Sequence, residues 1–201
     1  MPRRKPPPPN RIAFRGRAFT VRVDTVTKPN GIVTTREIVE HPDCVVIVAL
    51  DSELNCLLEK QVRPAAGKEL LELPAGGIDP GETPDDCVRR ELREETGYMP
   101  RNIKRLGGFF SAPGFCTEYL HLYLATDLEY SPLRASDTDE ITVVRVPLEK
   151  TAGLVSSGAI EDAKSIAGLL TVMAFYRDHL PGNGHCPHHR ASIGKESKLS
   201  S

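Results

Sequence analysis

The sequence predicts a mixed α/β domain, and three observations carry the prediction. Residues 44–50 form an unbroken apolar run, Cys-Val-Val-Ile-Val-Ala-Leu, of the kind found in a sheet strand covered on both faces. Alternating segments flank it. Two helical segments interrupt the strands, one rich in glutamate at 84–96 and one amphipathic at 160–178. With 201 residues the chain can bury a substantial core in one domain carrying appendages. The divisions read from composition are a flexible basic Pro-rich arm at 1–16, a hairpin at 17–41, the main domain at 42–180 and a disordered polar tail at 181–201.

Taken in order, residues 1–10 are basic and carry four consecutive prolines, so the chain is expected to be extended there. Residues 19–24 (Phe-Thr-Val-Arg-Val-Asp) alternate like a half-buried strand. The Pro29-Asn30-Gly31 turn signal joins them to a second strand over 31–40. After the central run come strands over 55–62 and over 69–73, the latter stopped by Pro74. The helix at 84–96 has marked ends: Thr83 as N-cap, Pro84 at its first position, Asp86 where a capping box places its acid, and Gly97 as the left-handed stop. Strands are expected near 104–111, 119–125 and 141–147, with an Asp- and Ser-rich loop over 128–140. In the final helix Ile160, Ala163, Ile166, Leu169, Leu170, Met173 and Phe175 mark the apolar positions.

Bulk charge narrows the partners. A formal net charge of -1 provides no global basic field to attract nucleic acid or an anionic membrane. No apolar stretch approaches the roughly 18 residues of a membrane span. The N-terminus lacks the apolar segment of a secretory signal. The five cysteines, Cys44, Cys56, Cys87, Cys116 and Cys186, form no Cys-x-x-Cys pair and read as free thiols in a reducing compartment, so a cytoplasmic location is expected. His185, Cys186, His188 and His189 have metal-ligand composition but sit in a polar tail without a framework.

The chemistry is concentrated in the glutamate-rich helix. Glu91, Glu94 and Glu95 are related by i, i+3 and i+4 and line one side. At about 100° per residue they share one half of the helical wheel with Cys87, Val88 and Leu92, while Asp85, Asp86, Arg89, Arg90 and Arg93 take the other. A merely solvated charged face would not interleave acids with apolar residues. Partly buried carboxylates that repel one another call for a cation, and a hard divalent ion such as Mg²⁺ suits oxygen ligands. The Gly/Pro-rich loop over 73–82 leads into the helix N-terminus, where backbone can approach an anionic ligand.

Residues 76–98 resemble the Nudix box, G-x5-E-x7-R-E-U-x-E-E-x-G-U with U a bulky apolar residue. The match runs through Gly76, Glu82, Arg90, Glu91, Leu92, Glu94, Glu95, Gly97 and Tyr98, and only the last position departs, being Tyr rather than aliphatic. The resemblance implies an α/β/α sandwich on a mixed sheet and hydrolysis of a nucleoside diphosphate linked to another moiety. It also implies that Glu91 and Glu95 are the main ligands of Mg²⁺ or Mn²⁺, with Glu94 as a further ligand or water-orienting group and the Ala75 carbonyl as an added donor. Arg90 would hold a glutamate in place, and Glu82 would support the loop or an outer metal. Metal-ion catalysis would neutralise the diphosphate and activate a water for in-line attack.

Flanking segments resemble the ADP-ribose pyrophosphatase branch: Gln61-Val62-Arg63, then residues 69–76 (Glu-Leu-Leu-Glu-Leu-Pro-Ala-Gly), then residues 111–118 (Ser-Ala-Pro-Gly-Phe-Cys-Thr-Glu), and residues 158–166 at the entry to the last helix. The resemblance spans roughly 17–178. It implies ADP-ribose cleavage to AMP and ribose 5-phosphate. Substrate contacts are expected at Arg63, Glu72, Gly76, Gly77, Pro113, Gly114 and Glu118. An acid from the 128–140 loop, Asp137, Asp139 or Glu140, stands beside the helix glutamates as candidate base. The branch also implies a homodimer sharing N-terminal strands, here the hairpin. The alternatives are another nucleoside diphosphate sugar or a dinucleotide as substrate, or a non-catalytic nucleotide-sensing module; the intact glutamates weigh against the last.

Overall fold

The structure is a computed structural model, and it describes residues 10–134, 140–176 and 180. Among the described residues ten strands and three helices follow one another as β1 (Arg11–Arg15), β2 (Thr20–Thr27), β3 (Val33–Glu40), β4 (Cys44–Ala49), β5 (Asn55–Arg63), β6 (Lys68–Glu72), β7 (Ala75–Gly77), α1 (Pro84–Glu91, continued by a π-helical turn Leu92–Thr96), β8 (Tyr98–Phe110), β9 (Tyr119–Tyr130), β10 (Thr142–Pro147), α2 (Leu148–Ser156) and α3 (Ala163–Phe175).

The expected mixed sheet is β7-β4-β9-β8, in which β4 runs parallel to β9 and antiparallel to β7. A second antiparallel sheet, β10-β5-β6, lies beside it. The apolar run 44–50 explains the layering. Val45, Ile47 and Ala49 join Cys87, Val88, Leu92 and Tyr123 in one core. Cys44, Val46, Val48 and Leu50 face the other way, into a core with Leu73, Leu122, Leu169 and Val172. Period-two alternation therefore delivers one face of β4 to α1 and the other to α3, giving the sandwich.

Several elements differ from the sequence reading. Arg11–Arg15 lies in the stretch read as a flexible arm, yet it pairs with β2, so the N-terminal unit is a three-stranded sheet rather than a hairpin. Residues 75–77, read as loop, form β7: two glycines carry no strand propensity, and pairing with Val45 and Val46 imposes the conformation. β8 starts at Tyr98 and β9 continues to Tyr130, because each supplies the other's hydrogen bonds along their length; the loop thus begins after 130. Helix α2 has no counterpart in the sequence reading. In α3 the buried positions are Ser165, Gly168, Leu169 and Val172, whereas Leu170 and Phe175 are exposed. The tail at 181–201 and most of the arm lie outside the described residues. Among the described residues no helix is long and apolar enough to cross a membrane.

Candidate active site

Helix α1 begins as its sequence requires. Thr83 is the N-cap and accepts from the Asp86 N–H, with Pro84 at the first position. Its end departs from an ideal helix. Residues 92–96 widen into a π turn, in which the Gly97 N–H reaches back to the Leu92 carbonyl and the Thr96 hydroxyl donates to the same oxygen at 2.5 Å. Gly97 closes the turn at φ 81°, a left-handed conformation that suits glycine. The π turn lies within the segment that carries Glu94 and Glu95, a place where such irregularities recur at functional sites.

Arg90 is the centre of the arrangement, although the wheel sets it on the half away from the apolar residues. Its guanidinium grips Glu82 with two bonds of 2.9 Å, donates to Glu91 at 2.7 Å and to Glu94 at 3.1 Å, and reaches the Gly77 carbonyl at 2.9 Å. A planar fork with five donors can hold several oxygens in this way, where lysine could not. The bonds from Arg90 lower the Glu82 carboxyl below the usual range. The Glu91 carboxyl lies against Gly76 so closely that a Cβ there would sit 1.9 Å from its Oε1. Glu95 accepts from the N–H of the adjacent Ala75 at 3.1 Å.

Behind Glu95 lies a group that the sequence reading did not single out. Glu59, on β5, is 3% exposed; its carboxyl lies beside that of Glu95, and its Oε1 is buried without a partner among the described residues. Burial raises Glu59, Glu91 and Glu95 above the ordinary carboxylate range. The available signal was a lone acid directly after Leu57 and Leu58 in an apolar strand. Next to it, Glu72 is held by Arg63 through two bonds of 2.9 Å and by Lys164. Burial alone would raise Glu72, but those cationic partners outweigh it and hold its carboxyl low. Lys164 also bonds Asp162 at 2.8 Å, the acid that caps α3. Lys164 was visible only as part of the 158–166 segment.

The donor set fits a divalent cation. The carboxylates Glu59, Glu72, Glu82, Glu91, Glu94 and Glu95 face the cationic groups Arg63, Arg90 and Lys164, and the excess of negative charge is buried. An orphaned carboxylate oxygen beside a second buried carboxyl is costly unless a cation joins them. Glu91 and Glu95, with the Ala75 carbonyl nearby, could hold a hard ion.

The other expected residues fall elsewhere. Glu118 sits just before β9 against His41 and Cys44, and Cys44 feels the charge of both Glu118 and Glu91. Pro113 and Gly114 are exposed in the turn closed by the Cys116 N–H on the Ala112 carbonyl at 2.9 Å. Glu140 is exposed at the entry to β10; Asp137 and Asp139 lie outside the described residues. The expected phosphate fork of Arg63 has its Nε and Nη2 edge on Glu72, leaving the side chain 42% exposed. The described cysteines are all free thiols.

The family described as NUDIX domain matches residues 40–169. An ADP-ribose pyrophosphatase of Bacillus subtilis (strain 168) is 37% identical over 154 residues, 76% of this chain and 83% of that protein. An ADP-ribose pyrophosphatase of Mycobacterium tuberculosis (strain ATCC 25618 / H37Rv) is 39% identical over 162 residues, 79% of this chain and 78% of that protein. A solved structure titled "Crystal structure of ADP compounds hydrolase" superimposes with a TM-score of 0.78 at 24% identity, covering 87% of this chain and 94% of that one, and shows the same fold.

Proposed function

The chain belongs to the Nudix family of hydrolases, and on that premise we propose that it hydrolyses the diphosphate linkage of ADP-ribose to AMP and ribose 5-phosphate. The observation that carries the chemistry is the Arg90 clamp. One guanidinium fixes Glu82, Glu91 and Glu94 beside a partly buried carboxylate surplus, an arrangement that favours binding of a cation. The two relatives named as ADP-ribose pyrophosphatases support the choice of substrate.

In this reading Glu91, Glu95 and the Ala75 carbonyl hold Mg²⁺ or Mn²⁺, with Glu94 as a further ligand or water-orienting group. The bound ion supplies charge neutralisation for the diphosphate and lowers the pKa of water. The chain's own residues set the geometry. Arg90 prevents Glu91 and Glu94 from rotating away, and Glu82 keeps Arg90 oriented on the Gly77 carbonyl. Glu59 lies beside Glu95, and its Oε1 has no hydrogen-bond partner among the described residues. Arg63, anchored by Glu72, keeps an exposed edge for a substrate phosphate. Gly76, Gly77, Pro113 and Gly114 complete the proposed substrate contacts. The proton of the attacking water passes to Glu94 or to an acid of the 137–140 segment, Asp137, Asp139 or Glu140.

The protein acts as a homodimer in this reading. The N-terminal sheet leaves Ile12, Phe14, Phe19, Val26, Ile32 and Val33 exposed, an apolar surface suited to a second copy. Gel filtration giving a clean monomer at working concentration would remove the dimer and leave the chemistry untouched.

The deciding experiment is AMP release from ADP-ribose with and without Mg²⁺, beside UDP-sugar, GDP-sugar, NADH and diadenosine substrates. Metal-dependent turnover that favours ADP-ribose is expected. Preference for another substrate would keep the hydrolase and overturn the specificity; no turnover on any of them would overturn both.

A further inference from the structure

A second constellation of metal-ligand side chains lies at the start of β4, where none of its members bonds Arg90. His41 ends the segment that leaves β3, Cys44 opens β4, and Glu118 directly precedes β9, which pairs with β4 from Cys44↔Leu120 onward. The Cys44 Sγ is 3.4 Å from Glu118 Oε1 and 3.9 Å from His41 Nδ1, and Nδ1 is 3.6 Å from the same Oε1. Together they form a closed triangle of one sulfur, one nitrogen and one oxygen donor.

We propose that His41, Cys44 and Glu118 form a binding site for a divalent transition ion of the Zn²⁺ type, separate from the oxygen-ligand site of α1. Zn²⁺ binds thiolate at about 2.3 Å and imidazole or carboxylate at about 2.0–2.1 Å, so tetrahedral coordination sets its donors roughly 3.3–3.6 Å apart. The edges of the observed triangle lie within a few tenths of an ångström of these distances. A thiolate and an imidazole select Zn²⁺ over Mg²⁺, which takes oxygen.

The surroundings prepare the site. The Thr117 hydroxyl accepts from the His41 N–H at 3.0 Å and donates to the His41 carbonyl at 3.1 Å. The Val39 N–H donates to the Phe115 carbonyl at 2.7 Å, and the Thr117 N–H donates to the Val39 carbonyl at 2.9 Å. These bonds fix the backbone on both sides of the triangle before an ion arrives. Cys44 is buried, whereas the His41 and Glu118 side chains remain 27% and 23% exposed, so solvent can reach the donors. Burial, together with the charges of Glu118, Glu91 and Asp43, pushes the thiol up to about 12. That environment opposes a bare thiolate and favours a thiolate neutralised by a cation.

Without an ion, the Nδ1–H of His41 donates to the Pro42 carbonyl at 2.8 Å. Coordination requires the other tautomer, with the proton on Nε2. The thiol proton is released to solvent as the sulfur binds. The freed Pro42 oxygen, 3.8 Å from the sulfur, is then near enough to become a fourth donor. The site would tie the end of β3, the start of β4 and the 111–118 loop to one ion.

The test uses the full chain with saturating Mg²⁺ and titrates Co²⁺ as a spectroscopic stand-in for Zn²⁺. A thiolate ligand gives a near-ultraviolet charge-transfer band, and tetrahedral Co²⁺ gives intense visible bands; an all-oxygen site gives neither. Because the tail carries Cys186 with His185, His188 and His189, the Cys186→Ala chain is measured beside the wild type. Both should develop the bands with one equivalent of Co²⁺ and lose them to one equivalent of Zn²⁺. Cys44→Ala, and independently Cys44→Ser, should abolish the charge-transfer band and weaken Co²⁺ binding at least about a hundredfold, with thermal melts checking that each variant is folded. Absence of the band in the wild type, or a band that persists without Cys44 and disappears without Cys186, would overturn the site and leave the triangle as hydrogen bonds alone.

Discussion

Adjacent glycines give a sharp test of the active-site geometry. At Gly76 an added Cβ would lie 1.9 Å from Glu91 Oε1 and 2.0 Å from its Cδ, whereas at Gly77 it would meet nothing within 4 Å. Real Cβ contacts stay beyond 3.0 Å, so in Gly76→Ala the Glu91 carboxylate must retreat by about 1 Å or more. The retreating atoms are the far end of a side chain, so the fold can yield; the stability cost is expected to stay in the ordinary range of about 1–2 kcal/mol. The 2.7 Å bond from Arg90 is lost in the process. A misplacement of about 1 Å in a catalytic group costs on the order of 10²-fold in rate. Gly76→Ala should therefore lose about two orders of magnitude in kcat while remaining folded. Gly77→Ala keeps the carbonyl that Arg90 uses and should lose less than about tenfold. The assay is metal-dependent AMP release with a parallel thermal melt. Near-wild-type kcat in a folded Gly76→Ala protein, or equal losses in both variants, would refute the claim that turnover depends on where Gly76 lets Glu91 sit.

Other perturbations probe the same centre. Glu91→Gln keeps the shape but removes a charge, and it should leave the melt nearly unchanged while lowering turnover by more than about a hundredfold, since losing an outer partner of a metal ligand alone costs 10–100-fold. Arg90→Lys keeps one positive charge but cannot make the two-bond grip on Glu82 together with the bonds to Glu91 and Glu94; Mn²⁺ affinity read by titration should fall roughly 10–100-fold. Glu59→Gln imitates the protonated acid. The Glu59 carboxyl is raised in the folded, metal-free protein, so its stabilising protonated form is complete below the unfolded value near 4.5 and is lost as pH rises toward the raised one. In EDTA the stability gained by Glu59→Gln over wild type should therefore grow with pH above about 4.5, by about 1.4 kcal/mol for each unit of raised pKa. A difference that stays flat from acid to neutral pH would sink this account of the Glu59–Glu95 pair.

The sequence by itself determined the parts governed by local rules. The caps of α1 follow from Thr83, Pro84 and Gly97, because each satisfies or terminates backbone hydrogen bonds within a few residues. The central position of β4 follows from an apolar run that only a strand covered on both faces can bury. The box glutamates were legible because their spacing puts them on one side of a single helix. The sequence left other features undetermined because contacts distant in the chain decide them. β7 exists because Val45 and Val46 offer it partners, and the lengths of β8 and β9 were settled by each other. The ideal wheel put Arg90 outside; the fold wraps the 76–82 loop around the helix and makes Arg90 the hub. Glu59 read as an ordinary strand residue until folding brought Glu95 against it. The charge of an acid is written in the sequence, but whether it is solvated, paired or left waiting for a cation depends on what the tertiary structure packs around it, because desolvation and Coulomb energy act through space and not along the chain.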